Sequence, residues 1–235
     1  MPLSAGTLNE YRIIEGQEAR KELAKITGAL SMSLLKKGNK RFEIHSSSTD
    51  PNNELKLTCL TDAINTALLR KIDLPPIKFY LSKDMSVRNI AFMANAEGKH
   101  DAIIILGGKY WTNQQIKEST TAGVANAVYD GTQRWFGNPK QKAFGAAMIL
   151  HEMGHLMHEI ASPDIFWSNK MGKTLLPSAN VWGESAVKIS MYCARASTSL
   201  EFIAECFAGV MCGKSYDGQV KAAYEACGGY PIPNF

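Results

Sequence analysis

Apolar positions along this 235-residue chain follow two periods. Ala19, Leu23, Ile26, Leu30 and Leu34 recur every three or four residues, which predicts an amphipathic helix over 17–37. Leu57, Leu60, Ile64, Ala67 and Leu68 repeat that spacing and predict a second helix over 54–70, after a polar loop from Ser46 to Asn53. Arg41-Phe42-Glu43-Ile44-His45 predicts a short strand. Ile77-Lys78-Phe79-Tyr80-Leu81 alternates after Pro75-Pro76 and predicts another. Ala102-Ile103-Ile104-Ile105-Leu106, closed by Gly107-Gly108, predicts a short buried strand. Two later stretches are apolar on almost every side: Ala143 to Leu150, and Glu201 to Cys212 apart from two glutamates. Helices of that kind are buried nearly all round. Asn138-Pro139 marks the start of the first, with Asn as cap and Pro at the first helical position.

These elements predict an α+β chain, a small mixed sheet packed on helices. One domain over 1–235 is expected, with a helix-and-sheet part over about 10–137 and a helical part over about 138–235. Between the parts, residues 112–137 are rich in Thr, Asn, Gly and Gln, with Trp111, Tyr129, Trp135 and Phe136 among them. They read as a flap or substrate wall, or as a further helix from Ile116 to Val128. Residues 161–198 link the two apolar helices and carry Trp167, Trp182 and Tyr192, which either line a cleft or pack.

The first apolar run closes on His151-Glu152-Met153-Gly154-His155, an HExxH pattern. Helical residues four apart lie about 400° around and about 6 Å along, so His151 and His155 share a face one turn apart. Both can reach one metal ion, and Glu152 leans into the same space. A zinc ion there lowers the pKa of water to about 7, and the carboxylate beside it can take the proton. A chance pattern on a surface helix is the bland alternative. The uncharged run before the motif argues against it, because buried His and Glu need partners. Gly154 costs about 1 kcal/mol in a helix, which suggests that another element approaches closely there.

A catalytic zinc commonly takes three protein ligands. His158 and Glu159 lie too far along the helix. The position six residues after His155 is Ala161, so the metzincin pattern is absent. Asp164 would serve if the helix ended near Ser162-Pro163, and Glu184 is a further candidate. Glu201 is favoured. It shares a helix face with Glu205, and two carboxylates on so apolar a helix need cations or strong donors. One binding zinc and the other holding a ligand histidine would satisfy both. Thr198-x-x-Glu201 also fits a capping box, which requires no metal but leaves Glu205 unexplained.

HEMGH followed by Glu201-Phe202-Ile203-Ala204-Glu205 resembles gluzincin-type toxin and effector peptidases. The HExGH…EFxAE pair is similar to the catalytic domain of anthrax lethal factor. Tyr192-Cys193-Ala194 with Glu201 to Glu205 resembles the smaller NleD-type effector metallopeptidases of Gram-negative pathogens. The likeness covers about residues 138–213. It implies a zincin-like fold in which an edge strand passes the active-site helix, either the strand at Ile77 or that at Ala102. It implies zinc on His151, His155 and Glu201, with Glu152 catalytic and Glu205 supporting a ligand. It implies a transition-state tyrosine seven residues before the ligand glutamate. Ala194 stands at that position, and Tyr192, nine before, is the candidate. The implied activity is zinc endopeptidase, with a protein substrate in a host or target cell. For the NleD-type family that substrate is a mitogen-activated protein kinase. A toxin delivered between bacteria, or a zinc-binding interaction module without turnover, are the alternatives.

Composition narrows the picture little. A formal net charge of +4 and dispersed basic residues do not indicate nucleic acid. No apolar run approaches the ~18 residues of a membrane span. The N-terminus lacks the features of a Sec signal; the resemblance to effector peptidases implies export by another bacterial route and action in the target-cell cytoplasm. Five cysteines without a CxxC pattern fit a reducing compartment, with Cys206 and Cys212 as core residues. His45 and His100 read as surface residues.

Overall fold

The computed structural model describes residues 31–37, 40–46, 49–83, 91–93, 102–108, 111, 144–172, 177–196, 198–233 and 235. Five strands form one sheet: β1 (Ser31–Lys37), β2 (Lys40–Ser46), β3 (Lys78–Leu81), β4 (Ala91–Met93) and β5 (Ile103–Leu106). Their order is β1-β2-β3-β5-β4. The inner strands β2, β3 and β5 run parallel, and β1 and β4 are antiparallel edges. Seven helices are described: α1 (Asn53–Leu69), α2 (Phe144–Ala161), α3 (Pro163–Met171), α4 (Ala179–Ile189), α5 (Met191–Ala194), α6 (Ser199–Met211) and α7 (Gly218–Ala226). The chain is thus mixed α and β, with its sheet at the N-terminal side of the sequence and its helices mainly after it. None of the described helices is long and apolar enough to cross a membrane.

Phe42, Ile44, Phe79, Leu81, Ile104 and Leu106 alternate along β2, β3 and β5 and join one core with the helices. Onto them α1 lays Cys59, Leu60, Ala63, Ile64 and Ala67, a stripe at helical spacing. One charge sits in that stripe. Lys56 is fully buried, and its Nζ donates to Asp50 Oδ2 at 2.7 Å and to the Ser82 carbonyl at 2.6 Å. Burial pulls the Lys56 pKa down and Asp50 opposes that pull. The pair ties the start of α1 to the end of β3.

Two expectations need correction. The helical period over 17–37 ends in a strand: residues 31–37 are β1, paired with β2 from Ser31↔Ser46 to Lys37↔Lys40. Only Gly38-Asn39 separates the two strands, and a connection that short favours a hairpin over the local period. The remainder of that stretch lies outside the described residues, as do His100, residues 112–137 and the helix start at Asn138. The second correction concerns the edge strand. The strands at Ile77 and Ala102 are both interior, and the edge beside α2 is β4. Among its described residues the link over 161–198 holds the helices α3, α4 and α5.

The helix that carries the His-Glu motif, α2, crosses α6 at close range. A Cβ added at Gly154 would lie 2.9 Å from the Ala204 Cα and 3.1 Å from its carbonyl oxygen. Backbone cannot give way as a flexible side chain can. Gly154→Ala should therefore destabilise the protein by about 1–3 kcal/mol, because overpacking outweighs the ~1 kcal/mol gained in helix propensity. Denaturant unfolding of the two proteins measures this. A stabilised alanine variant would show the glycine to be merely tolerated.

Candidate metal centre

α2 buries Ile149, Leu150, Met153, Leu156 and Met157, which fixes its rotation. His151 and His155 then project one turn apart towards α6, with ring centroids 4.8 Å apart and near-perpendicular planes. From the first turn of α6, Glu201 meets both. Its Oε2 lies 3.1 Å from His151 Nε2, and its Oε1 lies 3.6 Å from His155 Nε2. One turn later the fully buried Glu205 places Oε1 3.0 Å from His151 Nδ1. A proton on Nδ1 donates to Glu205, which leaves His151 Nε2 as an acceptor for a cation.

Ligand atoms of His151, His155 and Glu201 all lie within 4.8 Å of one another. Tetrahedral bonds of ~2.0–2.1 Å require ligand atoms roughly 3.3 Å apart, and the two histidine–Glu201 separations, each to a different carboxylate oxygen, lie on either side of that value. Two imidazole nitrogens and one carboxylate oxygen suit a divalent first-row metal. The group can therefore hold a metal ion. Among the described residues it is the only such group of three or more His, Cys, Asp or Glu.

Its electrostatics are mutually compensating. Burial works against a charged His151, but hydrogen bonds and attraction from Glu201 and Glu205 raise its pKa well above the ordinary histidine value. Burial likewise opposes ionisation of Glu201, and His155 and His151 overcome it, holding that carboxyl well below its usual range. Glu152 is buried beside the group but outside it. Burial raises its pKa, against the pull of His155 and His151. Its Oε2 accepts a 2.8 Å hydrogen bond from the Met93 N–H of β4.

Tyr192, on the short helix α5, brings its ring to 6.0 Å from that of His151 and is 38% exposed. Burial, then Glu201, pushes its pKa up, so the hydroxyl keeps its proton. The other candidates are elsewhere. Asp164 follows Ser162 at the start of α3 and is no part of the cluster. Glu184 accepts from Gln219 on the surface, and Glu159 accepts from Trp167. His158 is buried away from the site, where its Nε2–H donates to the Cys227 carbonyl; burial first, and then His155, pushes its pKa down to about 4. Trp182 stacks on Phe202 in the core. His45 stacks on Tyr80 and is no ligand. Thr198 makes no side-chain cap bond, so the capping box does not account for Glu201. All five cysteines are buried and none is in a disulfide.

Met93 is the group that sequence reading missed. It contributes a backbone N–H, which no residue pattern advertises. No protein-family model, no curated protein and no solved structure matches the chain.

Protons and a cation compete for His151. Its raised pKa means that the proton is held at neutral pH and lost only as pH rises. Metal affinity should therefore strengthen with pH until that raised value is passed, by up to about tenfold per unit for one released proton. Titration with zinc in buffers of different ionisation enthalpy reads both affinity and proton release. Glu201→Ala should leave the protein largely empty, whereas Glu205→Gln should weaken binding or activity only about 10–100-fold. Coordination retained in the first variant and lost in the second would reverse the two roles.

Proposed function

We propose that the chain is a zinc-dependent endopeptidase of zincin-like fold. The observation that carries this reading is Glu152: a buried carboxylate beside a three-ligand group, excluded from the group itself. A structural metal site has no use for such a base, and it would close its fourth position. Among the described residues no fourth His, Cys, Asp or Glu joins the cluster. Zinc bound by His151, His155 and Glu201 would supply Lewis acidity, polarising a substrate carbonyl and lowering the pKa of water.

The chain's own residues then divide the work. Glu152 takes one proton from the attacking water as its oxygen bonds to the carbonyl carbon. The same proton passes to the leaving nitrogen as the C–N bond breaks. A carboxyl with a raised pKa is suited to both directions of that transfer. Glu205 fixes the tautomer and orientation of His151. Tyr192, which keeps its proton, is a donor for the oxyanion that develops on the carbonyl. The edge strand β4, beside α2, is where an extended substrate would pair.

The likeness of HEMGH and EFIAE to NleD-type effectors extends the proposal to a secreted bacterial effector or toxin that cuts a protein in the target-cell cytoplasm. Mapping new N-termini in a host-cell lysate treated with the protein identifies that substrate. Glu152→Gln should retain zinc and lose about 10²–10⁴ in rate, the ordinary contribution of a general base. Metal content and peptide hydrolysis are measured on the same preparation. Near wild-type turnover by the glutamine variant would sink the mechanism.

A further inference from the structure

Among the described residues β4 is an edge strand of three residues, paired on one side only. In an antiparallel pair a residue turns its N–H and C=O together, either towards the partner strand or away from it. The Met93 N–H reaches Glu152, so Met93 turns away from β5 although it sits opposite Ile104. Its neighbour Phe92, opposite Ile105, then turns towards the ladder. A half-buried outward N–H on an edge needs an acceptor, because leaving one unmade costs about 1–3 kcal/mol. Here the acceptor is a carboxylate 59 residues away in sequence, at 2.8 Å, a length typical of a charge-assisted bond.

We propose that the backbone N–H of Met93 is a positioning group for Glu152, pinning one carboxylate oxygen and leaving the other to carry the proton. This inference rests on the peptidase reading above. Glu152 Oε2 is the pinned oxygen. A glutamate has three side-chain torsions, and a free carboxylate would sample several orientations about them. The bond to the sheet removes that freedom in advance, so the base is oriented before substrate arrives. It also couples the base to β4 itself, so the strand read above as a substrate edge and the proton-transfer group keep a fixed separation. The side chain at position 93 plays no part in this, and only its amide is required.

Two measurements test the inference on the full-length protein. In the first, amide exchange at Met93 and Phe92 is followed in methionine- and phenylalanine-labelled wild type and in Glu152→Ala. Protection at Met93 should fall by at least about tenfold in the variant, while Phe92 stays protected, because only the outward N–H loses its acceptor. Equal exchange in both proteins overturns the proposal, whatever the activity. In the second, residue 93 is replaced by its α-hydroxy acid analogue, which exchanges the N–H for an ester oxygen and keeps the side chain. kcat should fall about 10–100-fold with KM and zinc content unchanged. An unchanged kcat, or a loss that follows KM or zinc content, also overturns it. A zinc-loaded wild type that hydrolyses no peptide defeats the peptidase reading alone, because the exchange measurement still reports on the contact.

Discussion

The approach of two helix backbones at Gly154 and Ala204 is the constraint on which the site depends. Had residue 154 carried a side chain, α2 and α6 could not have met at the observed distance. The reach of a glutamate is short, and Glu201 and Glu205 meet the His151 and His155 rings only because the helices are that close. Burial of the apolar faces of both helices supplies the force that holds them together. Leu150, Met153, Met157, Ile203 and Phe207 are all out of contact with water. The metal-capable group is therefore a by-product of core packing at one small residue.

Charge balance is the second requirement. Two imidazoles and three carboxylates converge where few waters can reach them. Burying charges of one sign without the other would be costly. Together, Glu201 and Glu205 favour a protonated His151, and the two histidines favour an ionised Glu201. Glu152 is the partial exception, because burial prevails over its neighbours. Lys56 and Asp50 show the same logic in a purely architectural setting, where one buried cation is matched by one anion and one carbonyl.

How legible this was depended on where the information resided. Glu201 and Glu205 stood out because a carboxylate on an otherwise apolar helix has no inexpensive explanation, and the structure brings them to His151. Gly154 stood out for the same reason in reverse, as a helix residue with no local merit. By contrast, residues 31–37 match a helical period yet form a strand, since hairpin pairing with β2 overrides a local pattern. β4 is too short to show a period, and its contribution to Glu152 comes from the main chain, which every residue possesses. The first and third helices between Pro163 and Ala194 are short, and the first has scarcely any apolar asymmetry; the middle one buries Trp182, Ala186 and Ile189 at helical spacing, a pattern legible in the sequence but passed over.

The five buried thiols carry a consequence for how the chain can be handled. No covalent link joins any two of its segments through sulfur, so the unfolded polypeptide is a simple linear thread. Such a chain can pass a narrow passage end first with nothing to reduce on the way in and nothing to re-oxidise on the way out. Its folded form then rests on packing and hydrogen bonding, with no sulfur link to restore.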